Sequence, residues 1–165
     1  MKKSIVILSI MLCSAWGKAQ DISQHALGLR LGGNKGFGSE ISYQRSLESN
    51  NRLEFNLGWR NSDGYDAFKL MGVHQWVWNL TGDFNWYAGV GGGLGTWNYD
   101  KKPSDLSNIK ESGSFIALAG NLGIEYHFDI PILISLDMRP ELYFGNGIRG
   151  DSFGPDIALS VRYQF

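Results

Sequence analysis

Cysteine is almost absent from this chain: among 165 residues there is one, Cys13. Beyond residue 20 the sequence therefore offers neither a disulfide framework nor a thiol nucleophile. Proline is scarce too, with 4 against 22 glycines. No run approaches 18 consecutive apolar residues, which excludes a transmembrane helix. Neither sign of charge is in excess. Fifteen Lys and Arg face 16 Asp and Glu, for a formal net charge of −1, so there is no electrostatic reason to expect nucleic acid as a partner. Few stretches carry the 3.6-residue apolar period of a helix.

What is present is alternation, broken by clusters of Asn, Asp, Gly and Ser. The final segment shows it most clearly. Ile157, Leu159, Val161, Tyr163 and Phe165 share one face, while Ala158, Ser160, Arg162 and Gln164 share the other. A period of two sustained over a whole strand means that one face meets an apolar phase and the other a polar one. At the opposite end, Met1-Lys2-Lys3 precedes a short apolar run from Ile5 to Leu12, and Gly17-Lys18-Ala19-Gln20 offers small residues for cleavage. Residues 1–20 read as a secretory signal peptide and 21–165 as one domain. Leu12 stands before Cys13 where lipoprotein processing expects a small residue.

The segments predict eight strands, near 26–33, 37–47, 53–61, 67–80, 84–98, 114–128, 132–144 and 155–165. Even number and alternately short and longer connections imply an all-β, eight-stranded antiparallel up-and-down transmembrane β-barrel. Three tight turns set expected registers. A loop at Ser49-Asn50-Asn51 places Leu47 opposite Leu53 and Glu48 opposite Arg52. A loop at Thr81-Gly82-Asp83 places Leu80 opposite Phe84 and Trp78 opposite Trp86. A loop at Asp129-Ile130-Pro131 places Phe128, Tyr126 and Ile124 opposite Ile132, Ile134 and Leu136.

The face turned from the apolar phase carries Arg30, Glu40, Glu54, Arg60, Lys69, Glu125, Asp137, Arg139, Glu141, Asp156 and Arg162, with Glu40 expected across from Arg60. An eight-stranded barrel is just wide enough for side chains to fill, and charges in that space must pair or stay hydrated. The expectation is an ionic plug. The run Gly89 to Gly95 fits the same scheme: Gly89, Gly91, Gly93 and Gly95 point inward opposite Gln75, Val73, Met71 and Lys69, leaving room for longer neighbours. A phosphate-cradling reading fails because Leu94 stands where a third glycine is needed and no helix follows.

Aromatics gather near strand ends. Trp76, Trp78, Phe84, Trp86, Tyr126, Phe128, Tyr163 and Phe165 lie toward one side; Trp59, Phe68 and Phe144 lie toward the other. Paired girdles of this kind belong at two membrane interfaces. Two residues resist the scheme: His74 falls on the apolar face, and Pro140 removes a ladder donor inside a strand. A β-bulge near either is expected to absorb the conflict. His25, His74 and His127 have no metal-ligand spacing. A triad of His127 with Glu125 and Ser135 is conceivable only by loose combination, and His127 reads better as a member of the interior network.

With periplasmic termini, connections 32–36, 61–66, 99–113 and 145–154 would face outward, the third being the longest and most charged. The closing strand ending in Phe165, Asn85-Trp86-Tyr87-Ala88-Gly89-Val90-Gly91, Gly123-Ile124-Glu125-Tyr126-His127-Phe128 and Ser135-Leu136-Asp137-Met138-Arg139-Pro140-Glu141 together resemble the small bacterial outer-membrane β-barrel family of OmpA/OmpX type, including porin-family members. The resemblance covers nearly all of 21–165. It implies a Gram-negative outer-membrane location, lipids and the barrel-assembly machinery as partners, an assembly signal at Tyr163 and Phe165, and no catalytic residues, cofactor or metal to carry over. The function expected is envelope integrity or surface contact through external loops to an unnamed ligand. A narrow channel for small solutes or ions and a lipid-modifying enzyme are the alternatives.

Overall fold

A computed structural model describes residues 22–32, 38–47, 50–62, 65–101, 109–145 and 153–165. The expected signal peptide and most of the expected external connections lie outside these residues. Eight antiparallel strands form a closed barrel in sequence order: β1 (His25–Gly32), β2 (Ser39–Ser46), β3 (Asn51–Ser62), β4 (Tyr65–Thr81), β5 (Phe84–Lys101), β6 (Ile109–His127), β7 (Ile132–Gly145) and β8 (Phe153–Gln164). Closure is made by β1 and β8, where His25 and Phe165 exchange two backbone hydrogen bonds of 3.1 and 2.9 Å. With that closure each of the described strands has a hydrogen-bonded neighbour on both sides, as a backbone in hydrocarbon requires.

The registers fix the barrel's stagger. From Asn85 on β5, successive cross-strand partners are Glu125, Ser135, Ser160, Arg30, Glu40, Gly58 and Lys69, and the circuit returns to β5 at Gly95. The displacement from 85 to 95 is the shear that tilts the strands and sets the bore. Almost every residue on this circuit points inward, so the path of the stagger runs through the polar lumen.

Alternation governs solvation along each strand. On β8, Ile157, Leu159, Val161 and Tyr163 are exposed, whereas Ala158, Ser160 and Arg162 are 2% exposed or less. Outward Leu, Ile, Val and Phe residues recur around the whole barrel. Such a surface calls for a hydrocarbon phase. Aromatic pairs mark the end near the short turns: Trp78 on Trp86 with centroids 4.4 Å apart, Phe84 and Phe128 each 4.7 Å from Tyr126, and His25 on Phe165 at 5.5 Å.

Several expected registers need correction. On the β2–β3 hairpin Leu53 faces Arg45 and Arg52 faces Ser46, a shift of two residues; Leu47 instead donates its N–H to the Asn51 carbonyl. A shift of two keeps every side chain on its face, so the hydrophobic pattern alone does not detect it. The same shift puts Glu40 opposite Gly58 rather than Arg60. At the next turn Trp78 does face Trp86, but Thr81 rather than Leu80 pairs with Phe84, through an irregularity after Asn79. Gly82, at φ +52°, turns the chain there. The third hairpin and the opposition of Gly89, Gly91, Gly93 and Gly95 to Gln75, Val73, Met71 and Lys69 follow the expectation.

No bulge relieves His74 or Pro140. Pairing of β4 runs unbroken past His74 on both sides, and its ring packs edge-on against Trp76 at 4.6 Å. Pro140 keeps its register, opposite Pro155 on β8, while the β6–β7 ladder lapses between Ala119 and Leu122 and resumes unshifted. Antiparallel pairs alternate between bonded and non-bonded. Counting from the Phe128–Ile132 bond, Gly120–Pro140 is a bonded position, so the missing proline donor removes that rung without moving the strand.

Candidate functional site

Inward parity on eight strands delivers a column of charge to the lumen. Five cations (Arg30, Arg52, Lys69, Arg139, Arg162) and six carboxylates (Glu40, Glu54, Glu125, Asp137, Glu141, Asp156) are buried. None stands alone. Toward the long-connection end, Glu40 accepts from Arg139 at 2.7 Å, Lys69 at 3.1 Å and Arg30 at 3.4 Å. Arg30 also reaches Asp137 at 2.6 Å and Asp156 at 2.5 Å, and Glu141 accepts from Arg139 at 2.6 Å and Lys69 at 2.9 Å. The Tyr143 hydroxyl donates to Glu141 above them.

A second group lies toward the short turns. Arg52 donates two bonds to Glu125, at 3.1 and 2.7 Å, and its ε nitrogen reaches Gln75 at 2.6 Å. The Arg52 guanidinium also stands 4.8 Å from the centre of the Tyr87 ring. Glu54 accepts from Arg162 at 3.1 Å, Gln44 at 2.7 Å and Gln75 at 2.9 Å. Gln75 and Asn121 then bridge toward Asp137. Charges removed from water at this density hold only when each lone pair and proton is met, and amides fill the gaps between ions.

Of the interior residues expected from sequence, Arg30, Glu40, Glu54, Lys69, Glu125, Asp137, Arg139, Glu141, Asp156 and Arg162 are all brought together here. Arg60 is a correction. Its parity is inward, but it lies near the end of β3 opposite Ala67 and is exposed to solvent. Arg52 was missed because the shifted hairpin register placed it at a turn. Its shared parity with Glu54 and Asn56 within β3 was the available sign.

The conceivable triad does not assemble. His127 meets Glu125 at 3.2 Å, Asn85 at 3.1 Å and Gln164 at 3.2 Å, whereas Ser135 accepts from Arg162 at 2.8 Å. A general base must lie within reach of the proton that it removes, and no Ser135–His127 bond occurs among the described contacts. No group of three or more His, Cys, Asp or Glu among the described residues is placed to hold a metal ion.

No family model matches the sequence, and no curated protein does. Solved structures share its shape. Neisserial surface protein A aligns at 12% identity over 86% of this chain and 94% of its own, with a TM-score of 0.60. The N-terminal β-barrel domain of Pseudomonas aeruginosa OprF aligns at 15% identity over 87% and 100%, with a TM-score of 0.55. The attachment invasion locus protein Ail of Yersinia pestis aligns at 16% identity over 87% and 97%, with a TM-score of 0.51. Closed order, filled lumen, apolar exterior and these likenesses agree: the chain has the fold of the small eight-stranded outer-membrane β-barrels of OmpA/OmpX type.

Proposed function

We propose that the chain is a non-enzymatic integral outer-membrane protein that supports the envelope or makes surface contacts through its outward end. The observation that carries this reading is the distribution of solvation: apolar side chains outside the strands, and a lumen lined by buried, paired ions. Two structural neighbours bear names that speak of the surface and of attachment, which directs the reading toward contact rather than transport. The test is gel mobility of the outer-membrane fraction, unheated against boiled. A detergent-resistant barrel migrates differently before and after boiling. Soluble periplasmic protein with no such shift would overturn the proposal.

Passage of water or small ions is a second reading, favoured by one observation. Both side-chain polar atoms of Asn56, the Tyr87 hydroxyl, Ser160 Oγ and one terminal nitrogen of Arg139 are buried without a hydrogen-bond partner among the described residues. Groups of this kind take up internal water. Planar-bilayer recordings decide it: discrete conductance supports passage, and electrical silence from inserted protein removes it.

A further inference from the structure

Past the girdle of Trp59, Phe68 and Phe144, the alternation changes sign. On β5 the outward residues pass from Val90 and Leu94 to exposed Thr96, Asn98 and Asp100, while the inward ones become Trp97 and Tyr99. On β4 outward Phe68 gives way to Asp66, with Ala67 and Tyr65 inside; on β6 outward Ile116 gives way to Ser114, with Phe115 inside. Aromatic side chains thus line the mouth of the barrel where the lipid-facing pattern has ended. Tyr65 and Trp97 stand nearly parallel, with 10° between planes and 6.4 Å between centroids, and Phe115 meets Tyr143 edge-on at 5.4 Å. The Tyr143–Glu141 bond forms the floor.

A second observation points to a ligand. Trp97 is only 6% exposed, and its indole N–H is buried with no acceptor among the described residues. A buried donor left unpaired is costly, and a partner that supplies an acceptor recovers that cost. This requirement selects among the occupants of an aromatic mouth. A quaternary ammonium suits aromatic rings but accepts no hydrogen bond, and an apolar peptide side chain leaves the indole equally unmet. A pyranose has a flat C–H face for the rings and oxygens for the donor. We propose that this mouth is a saccharide-binding site, in which a pyranose ring lies against Tyr65 and Trp97 and one of its oxygens accepts from Trp97 Nε1. The inference rests on the outward orientation proposed above for its biological meaning. Binding in micelles reads the site whichever way the barrel points, so the two ideas fail separately.

The test uses folded, heat-modifiable protein in lauryldimethylamine oxide, a detergent without a sugar headgroup. Maltotriose, cellotriose, chitotriose and isolated lipopolysaccharide core oligosaccharide are titrated in turn, read by calorimetry and by the Trp97 indole N–H resonance. At least one is expected to shift that resonance saturably. Its affinity should fall about tenfold or more in Trp97→Phe and in Tyr65→Ala, and stay unchanged in lipid-facing Trp59→Phe. A response to core oligosaccharide alone assigns the ligand to the cell's own surface, and a response to a free trisaccharide assigns it to external glycans. Either supports the site. No response to any of the four, or binding indifferent to Trp97→Phe in protein that remains heat-modifiable, would overturn it.

Discussion

Arg52 on β3 and Glu125 on β6 meet across the lumen through two hydrogen bonds of 3.1 and 2.7 Å, joining strands that share no ladder. Both are almost wholly buried. Removing one partner leaves the other as an uncompensated ion, which costs about 3–5 kcal/mol. Arg52→Met should therefore lower folding free energy by that order. Adding Glu125→Met should restore much of it, because the stranded charge is gone. Urea unfolding in lipid vesicles checks this: costs that simply add would show that the two residues are not coupled.

Gly91 illustrates how the lumen makes room. A Cβ placed there would fall 2.2 Å from the Gly72 carbonyl oxygen and 2.7 Å from the Val73 Cα, both backbone atoms that cannot swing aside. Gly91→Val is expected to destabilise the barrel by about 1–3 kcal/mol, the usual cost of overpacking. The same unfolding assay reads it, and an unchanged midpoint would contradict the packing described.

His74 keeps an imidazole on the lipid-facing side, where its ring packs on Trp76. His74→Leu should stabilise the barrel by about 1 kcal/mol, since a polar group in an apolar phase is costly without a hydrogen bond. His74→Arg should cost up to about 2–4 kcal/mol, depending on depth. Destabilisation by leucine would mean that the imidazole has a partner in the membrane.

Phe165 closes the barrel through two backbone bonds to His25 and stacks on its ring. Deleting Phe165 should reduce the heat-modifiable fraction recovered in outer membranes, through loss of both the closing pair and the terminal aromatic. Full recovery of the truncated chain would remove Phe165 from assembly.

Most of the architecture was legible because one physical rule dominates between the two girdles: apolar out, polar in, with period two. That rule assigns faces, so Arg30, Glu40 and Asp137 could be placed inside without coordinates. It does not assign registers, since a shift of two residues preserves every face; hence the displaced β2–β3 hairpin and the missed Arg52, whereas Arg60 has the inward parity but lies near the end of β3, where it meets solvent. Beyond the outer girdle the rule lapses. Thr96, Asn98, Ser112 and Ser114 look outward to water, so β5 and β6 run on to Lys101 and from Ile109 where a lipid-facing pattern would end them. For the same reason the inward aromatic mouth gave no periodic signature. Pro140 misled for another reason: the strand loses one rung there and keeps its register, with no bulge.

The most direct test of the central claim, an inverted barrel with lipid outside and ions within, is spin-label accessibility along β8. Single cysteines at 157 through 163 can be introduced without interference, because the chain beyond residue 20 has no cysteine of its own. In vesicle-inserted protein, labels replacing Ile157, Leu159, Val161 and Tyr163 should collide with oxygen dissolved in the bilayer. Those replacing Ala158, Ser160 and Arg162 should be shielded from it, giving a period of two. Uniform accessibility, or oxygen contact at the even positions instead, would contradict the account.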